Sequence, residues 1–234
     1  MNVILFGATG MIGQGVLREC LRDDAVERVL VIGRSPVQQE HPKLVEVLRS
    51  DPSDLSGLEA ELAGYDACFF CLGVSAVGMP EAEYRRITHD LTLAVARTLA
   101  AANPGLTFVY LSGEGADSTE QGRVMWARVR GRTENELLRL PFRAFAFRPG
   151  VVLPQHGVVS KTRLYRVGYS VLGPLIPLLR KVAPNLVTTS EQMGRAMIAV
   201  ATPGVVPPGA DATRRILRTK DINRLTEHTE RTNS

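Results

Sequence analysis

The chain is poor in cysteine: 234 residues contain three, at positions 20, 68 and 71. A small, odd number argues against a scaffold stapled by disulfides. Cys68 and Cys71 have the C-x-x-C spacing of a redox or metal site, but they lie in the apolar run Y-D-A-C-F-F-C-L-G, which is typical of a buried strand. Residues three apart on a strand point to opposite faces. We therefore interpret both as buried thiols, with a redox pair as the alternative.

The chain also lacks an excess of charge of one sign and a long hydrophobic run. Its 28 basic and 24 acidic residues give a net charge of +4, and the charges are spread out, so we predict no nucleic-acid partner. The most apolar stretch, residues 167–179, is too short to cross a bilayer and contains two prolines. We expect it to cover a substrate pocket and regard membrane contact as the weaker alternative. No basic leader precedes the first apolar run, so we expect a cytoplasmic, reducing setting.

Apolar runs alternate with helical patterns as far as residue 149. We predict strands at 3–6, 28–32, 44–48, 67–72, 106–111 and 144–147, and helices at 11–22, 54–63, 80–102 and 120–140. This alternation is typical of βαβ units, and the predicted fold class is α/β with a doubly wound parallel sheet.

After residue 149 the pattern changes. An apolar helix is predicted at 161–182, a second helix at 191–201, a short strand at 215–218, and then a polar, frayed tail. We interpret residues 1–234 as a single domain, in which residues 150–234 contribute a small C-terminal substrate lobe.

A glycine-rich turn, G-A-T-G-M-I-G, follows the first predicted strand and opens the first predicted helix. We predict that Gly7 permits the tight turn, that Gly10 lets the backbone approach a pyrophosphate, and that Gly13 lets helix and strand pack closely. The helix N-terminus adds N–H donors and a positive dipole end. In this position the motif indicates a dinucleotide site, and a plain turn is the alternative. The predicted cofactor-binding residues here are Gly7, Thr9, Gly10, Met11, Ile12 and Gly13.

The end of the second strand distinguishes NADP from NAD. An NAD site carries Asp or Glu there to accept hydrogen bonds from the ribose 2′-hydroxyl, whereas V-I-G-R-S offers Arg34 and no carboxylate. A guanidinium suits a 2′-phosphate, so we predict NADP, with NAD as the alternative cofactor and a solvated loop arginine as the alternative role.

Two later segments complete the predicted cofactor site. Asp51 is expected either to accept from the adenine amino group or to form a turn or helix cap. After the fourth strand, Leu72, Gly73 and Val74 lie where the backbone would pass the cofactor's ribose and adenine.

Read in order, G-A-T-G-M-I-G, V-I-G-R-S, D-P-S-D, F-F-C-L-G, Y-L-S-G and F-R-P-G-V-V-L-P resemble the short-chain dehydrogenase/reductase superfamily. The resemblance is to its atypical, NAD(P)H-binding, epimerase-like branch, with Tat-interacting-protein-like members nearest, and it covers residues 2–201. It implies a doubly wound Rossmann sheet with the substrate pocket in the C-terminal lobe. It also implies that Pro149 and Gly150 shape the backbone beside the nicotinamide.

The resemblance implies a catalytic Ser at the end of the fifth strand, matched by Ser112, and a Y-x-x-x-K on the next helix. Here W-A-R-V-R takes that place, with Trp126 for Tyr and Arg130 for Lys. The i, i+4 spacing keeps both on one helix face. An indole N–H donates a hydrogen bond but moves no proton near neutral pH. Arg130 still suits ribose hydroxyls or phosphate, although it cannot lose its proton.

Two functions from different classes follow. The first is an NADP-dependent oxidoreductase of an unknown small molecule, in which Ser112 polarises the acceptor and the proton comes from water or from Tyr165 or Tyr169. The second is a catalytically inactive NADP(H)-binding sensor or scaffold, which the missing Tyr favours. A nucleotide-sugar epimerase is a weaker third. The oligomer is left open between monomer and homodimer.

Overall fold

The computed structural model describes residues 1–155, 185–204 and 215–232. The strands of the main sheet are β1 Asn2–Phe6, β2 Arg28–Gly33, β3 Leu44–Leu48, β4 Ala67–Phe70, β5 Thr107–Leu111, β6 Arg143–Arg148 and β9 Ile216–Arg218, and those of a small second sheet are β7 Val151–Leu153 and β8 Val187–Thr189. Within the described residues the main sheet has seven parallel strands in the order β3-β2-β1-β4-β5-β6-β9. The chain winds outward from β1 in both directions, so the predicted doubly wound α/β fold is confirmed.

Helices cover both faces of the sheet. They are α1 Met11–Arg22, α2 Glu59–Leu62, α3 Glu81–Arg85, α4 Leu91–Ala102, α5 Met125–Leu137, α6 Ser190–Ala201 and α7 Thr219–Thr232. Apolar side chains of α1, α6 and α7 pack on one face, and those of α2, α4 and α5 pack on the other. A π-helical turn, Arg86–Asp90, joins α3 to α4.

The cysteine prediction is confirmed. Cys68 packs in the core on one face of the sheet and Cys71 in the core on the other, and both thiols are free and buried. Burial raises the pKa of the Cys71 thiol to about 12, so its thiolate is scarce near neutral pH.

Two predicted helices are wrong in their bounds, and a third has the predicted bounds but not a uniform α-helical structure. The helix predicted at 120–140 begins only at Met125, because the Asp117 carboxylate accepts the backbone N–H groups of Thr119 and Gly122 and turns the chain first. The helix predicted at 54–63 shrinks to α2, and the one predicted at 80–102 contains the π-helical turn.

The C-terminal part also differs from the prediction. The segment expected to fray forms α7, which buries Ile222 and Leu225 on the core. A second sheet, unpredicted, pairs β7 Val151–Leu153 with β8 Val187–Thr189. The apolar helix predicted at 161–182, with Tyr165 and Tyr169, lies outside the described residues. In the parts that the structure describes, every helix falls short of the length and apolar character that a bilayer crossing demands.

Candidate functional site

The glycine turn lies at the topological switch point, where β1 has β2 on one side and β4 on the other. Gly7 has φ of +80°, and a Cβ there would lie 2.6 Å from the carbonyl carbon of Cys71. A Cβ at Gly13 would overlap the carbonyl oxygen of Gly7. The predicted turn and close-packing roles of these two glycines are therefore confirmed.

No side chain in the part of the chain that the structure describes caps the N-terminus of α1. The N-cap residue is Gly10, and the first turn contains no acidic residue. The only described side-chain bond to this turn is that of Gln14, whose Nε2 donates to the carbonyl of Thr9 at 3.1 Å. The first N–H groups of a helix have no intrahelical acceptor. Those of Met11, Ile12 and Gly13 accordingly suit a phosphate group.

A cleft of about 470 Å³ lies beside this turn. Its walls include Thr9, the part of α1 between residues 14 and 18, the segment 35–39 after β2, and the start of α6. Arg34, at the entrance to that segment, is exposed, and the described residues offer its guanidinium neither a hydrogen bond nor an ion pair. Its positive charge is therefore available to a ligand at the end of β2.

Asp51 forms a turn. Its Oδ1 accepts the backbone N–H of Ser53 at 2.9 Å and the Ser53 hydroxyl at 2.6 Å. The Ser53 side chain, followed by its backbone N–H, lowers the pKa of the Asp51 carboxyl. The turn alternative is thus confirmed, while the adenine contact stays a prediction.

Ser112 lies where predicted, directly after β5, but its side chain is directed inward. The residue is 5% exposed, and its hydroxyl donates to the carboxylate of Glu134. Its backbone N–H donates to the carbonyl of Phe147 on β6 at 2.8 Å. In this arrangement its hydroxyl hydrogen is committed to Glu134, so the geometry does not favour the predicted polarising role.

Glu134 is the centre of a buried polar network that the sequence did not reveal. It is fully buried on α5 and pairs with Arg148 at the end of β6. Arg148 Nε lies 3.0 Å from both carboxylate oxygens, and Nη2 donates to Oε2 and to the Ser118 hydroxyl. Bidentate pairs of this kind are geometrically specific. The network fixes α5 against β6 and the segment after β5.

Trp126 and Arg130 lie on α5, and both side chains face the segment after β5, as their i, i+4 spacing predicts. The Trp126 ring is half-buried, and a Cβ at Gly115 would lie 3.2 Å from it. The guanidinium of Arg130 spans the carboxyl ends of β4 and β5: Cβ atoms at Gly73 and Gly113 would each lie 3.8 Å from one of its terminal nitrogens. The structure thus brings Arg130 together with Gly73, between the half-buried Leu72 and Val74.

Two buried tyrosines lie beside Arg130, and sequence reasoning missed both. The Tyr84 phenol oxygen accepts the Nε–H of Arg130 at 3.0 Å. Tyr110, on β5, is 1% exposed, and burial raises its pKa to about 12. Tyr110 belongs to the apolar strand T-F-V-Y-L and Tyr84 to the charged helix E-A-E-Y-R. Neither pattern marks the tyrosine as functional, so only the tertiary contact reveals its place beside Arg130.

Pro149 and Gly150 lie at the carboxyl end of β6. The Pro149 carbonyl accepts the backbone N–H of Glu114 at 2.9 Å, and Gly150 N–H donates to the Thr219 hydroxyl at 2.9 Å. A Cβ at Gly150 would lie 2.8 Å from the carbonyl oxygen of Leu186. These contacts join the segment after β5 to the second sheet, and contact with the nicotinamide stays a prediction.

The model of the NAD dependent epimerase/dehydratase family matches residues 3–121. "Protein FMP52, mitochondrial" of Eremothecium gossypii is 32% identical over 157 residues, 65% of this chain and 67% of that protein. "Protein HTATIP2" of Rattus norvegicus is 28% identical over 202 residues, 80% and 81% of the two chains. Across the curated relatives compared, the matched share of the relative runs from 52% to 97%.

Solved structures show the same fold. The Bordetella bronchiseptica enzyme WbmF in complex with NADH is 16% identical, with a TM-score of 0.66, covering 98% of this chain and 77% of that one. At this identity the likeness shows a Rossmann-type α/β fold, consistent with the strand order described above.

Proposed function

The chain belongs to the NAD dependent epimerase/dehydratase family, and from that membership we propose that it is an oxidoreductase that prefers NADP(H) and acts on a small molecule. The observation that carries the preference is Arg34, exposed and without a partner among the described residues at the end of β2. Residues 33–35, at the end of β2, include no Asp or Glu that could bind a ribose 2′-hydroxyl or repel a 2′-phosphate.

Calorimetric titration of NADPH and NADH tests the preference. A charge-assisted hydrogen bond is worth about 1.5–3 kcal/mol, so Arg34→Ala should weaken NADPH binding by roughly 10- to 100-fold and leave NADH unchanged. The matched control is Arg139→Ala, because Arg139 is also exposed but follows α5 at the opposite edge of the sheet. Equal affinities of the wild type for the two cofactors, or equal losses in Arg34→Ala, would exclude the assignment.

The bound dinucleotide would supply hydride transfer, and the chain's own residues would hold it. The uncapped N-terminus of α1 suits the pyrophosphate, and Arg130 lies between the ends of β4 and β5, where the nicotinamide half of a dinucleotide crosses such a sheet. Trp126 cannot exchange a proton near neutral pH. Acceptors such as quinones and flavins, which ask less of a protein acid than ketones do, are therefore the favoured substrates.

A second candidate is an NADP(H)-binding sensor or scaffold without turnover. Two observations favour it: Trp126 replaces the proton donor, and the Ser112 hydroxyl is engaged by Glu134. A nucleotide-sugar epimerase ranks third, because it depends on the same missing proton transfer.

Incubating the protein with NADPH and a panel of quinones, flavins and carbonyl compounds separates these candidates. Loss of NADPH absorbance with any acceptor supports the oxidoreductase, and tight NADPH binding without turnover on the whole panel supports the sensor. Trp126→Tyr combined with Arg130→Lys should raise carbonyl reduction if the site lost its proton donor without being rebuilt.

Cytoplasmic location stays a proposal, since the FMP52 relatives are named as mitochondrial.

A further inference from the structure

The side chain of Arg130 is fixed at two points. Nε donates to the Tyr84 phenol oxygen at 3.0 Å, and Nη1 donates to the carbonyl oxygen of Leu111, the last residue of β5, at 3.3 Å. Both acceptors are neutral. A guanidinium carries five N–H donors, so three remain beyond these two bonds.

The remaining donors lie at the open carboxyl edge of the sheet. Nη1 and Nη2 are the atoms that Cβ groups at Gly113 and Gly73 would approach to 3.8 Å. Among the described residues, no carboxylate lies within the 4.0 Å ion-pair distance of Arg130. The nearby Glu134 carboxylate is already paired with Arg148. Arg130 thus presents unpaired donors to a ligand.

Tyr84 determines which way those donors face. An arginine side chain has many rotamers, so an unheld guanidinium would sample many orientations. The Tyr84 ring is 1% exposed on α3, so little room is left for it to move. The phenol oxygen is a fixed acceptor that, together with the Leu111 carbonyl, defines the plane of the guanidinium.

We infer that Tyr84 is a positioning residue for cofactor binding: through its bond to Arg130 Nε it orients the terminal nitrogens toward the ribose hydroxyls of a bound NADP(H). The inference rests on the proposed function. In the Y-x-x-x-K motif the tyrosine exchanges a proton with substrate and lies on the same helix as the basic residue. Here a tyrosine on a different helix holds the basic residue in place instead.

A double-mutant cycle on NADP⁺ affinity, measured by calorimetry, tests the inference. Tyr84→Phe keeps the buried ring and removes the acceptor, and we expect about fivefold to tenfold weaker binding, the worth of one ordinary hydrogen bond. In an Arg130→Met background the same substitution should change affinity less than about twofold, because its effect passes through Arg130. Tyr65→Phe is the matched control, since the Tyr65 hydroxyl is buried and has no hydrogen-bond partner among the described residues.

Two results would overturn the inference: unchanged affinity in Tyr84→Phe, or an undiminished Tyr84→Phe effect in the Arg130→Met background. A second measurement needs no nucleotide. The Nε–H resonance of Arg130, assigned by its loss in Arg130→Lys, should exchange slowly with solvent in the wild type and quickly in Tyr84→Phe. Equal exchange in the two proteins refutes the bond. A wild type that binds no nucleotide refutes the proposed function instead, and the exchange measurement still decides the role of Tyr84.

Discussion

Replacing the buried carboxylate of Glu134 by an amide should strongly destabilise the fold. Glu134 is 0% exposed and Arg148 5% exposed, so neither charge has water to solvate it. Glu134→Gln leaves the Arg148 guanidinium without a counterion. It also turns an amide NH₂ toward one of the donors, Arg148 or Ser112, that the carboxylate now satisfies.

The expected loss follows from the cost of an uncompensated buried charge. Breaking such a pair from one side costs about 3–5 kcal/mol. For a chain of this length, each kcal/mol lowers the unfolding midpoint by about 2–4 °C, which gives a fall of roughly 6–20 °C. The loss should be larger than that of the double variant Glu134→Met with Arg148→Met, since the double variant removes both charges together.

Thermal and urea unfolding, followed by circular dichroism, measure these differences. Glu83→Gln, which neutralises an exposed glutamate on α3, is the control and should stay within about 0.5 kcal/mol of the wild type. If Glu134→Gln costs less than about 1 kcal/mol, or no more than the double variant, the reasoning about a desolvated pair is refuted.

Two further predictions concern the helices around the site. Gly131→Ala should prevent α5 from docking, because a Cβ there would overlap the backbone carbonyl of Asp117; a variant that unfolds with the wild-type urea midpoint would contradict this. A hydrogen bond from His89 lowers the pKa of the Asp90 carboxyl. At Glu136 burial alone would raise the pKa, but hydrogen bonds from His89 and Arg132 outweigh it, so the pKa of that carboxyl is also lowered. A carboxyl whose pKa is lowered in the folded state adds to the free energy of unfolding. This contribution of Asp90 and Glu136 is fully present above their ordinary pKa values, about 4, and is lost as the pH falls below those values. The difference in unfolding free energy between wild type and His89→Gln should therefore narrow as the pH falls below about 4. A difference that widens on acidification would count against the pairing.

The sequence was sufficient for features that depend on local pattern. The alternation of apolar runs predicted the sheet, and the spacing of Gly7 and Gly13 predicted the tight turn, because both follow from backbone geometry within a few residues. Opposite faces for Cys68 and Cys71 followed from the two-residue period of a strand. The shared placement of Trp126 and Arg130 beside the end of β5 followed from helix geometry.

Contacts between distant segments could not be predicted in this way. The Ser112 hydroxyl was expected to face substrate, yet its direction is set by Glu134, 22 residues away. The bond between Tyr84 and Arg130 joins residues 46 positions apart. No local propensity encodes either pairing, since both depend on how α3 and α5 pack over the sheet.

Trp126 also gives the molecule a built-in optical probe. It is the only tryptophan in the chain, half-buried at the first turn of α5 with its ring beside Gly115. Indole emission therefore arises from one known place, the rim of the proposed nicotinamide site, without any label. Reduced nicotinamide absorbs at the wavelengths at which indole emits. The fluorescence of Trp126 therefore reports both the binding of the cofactor and any local loosening of the segment after β5.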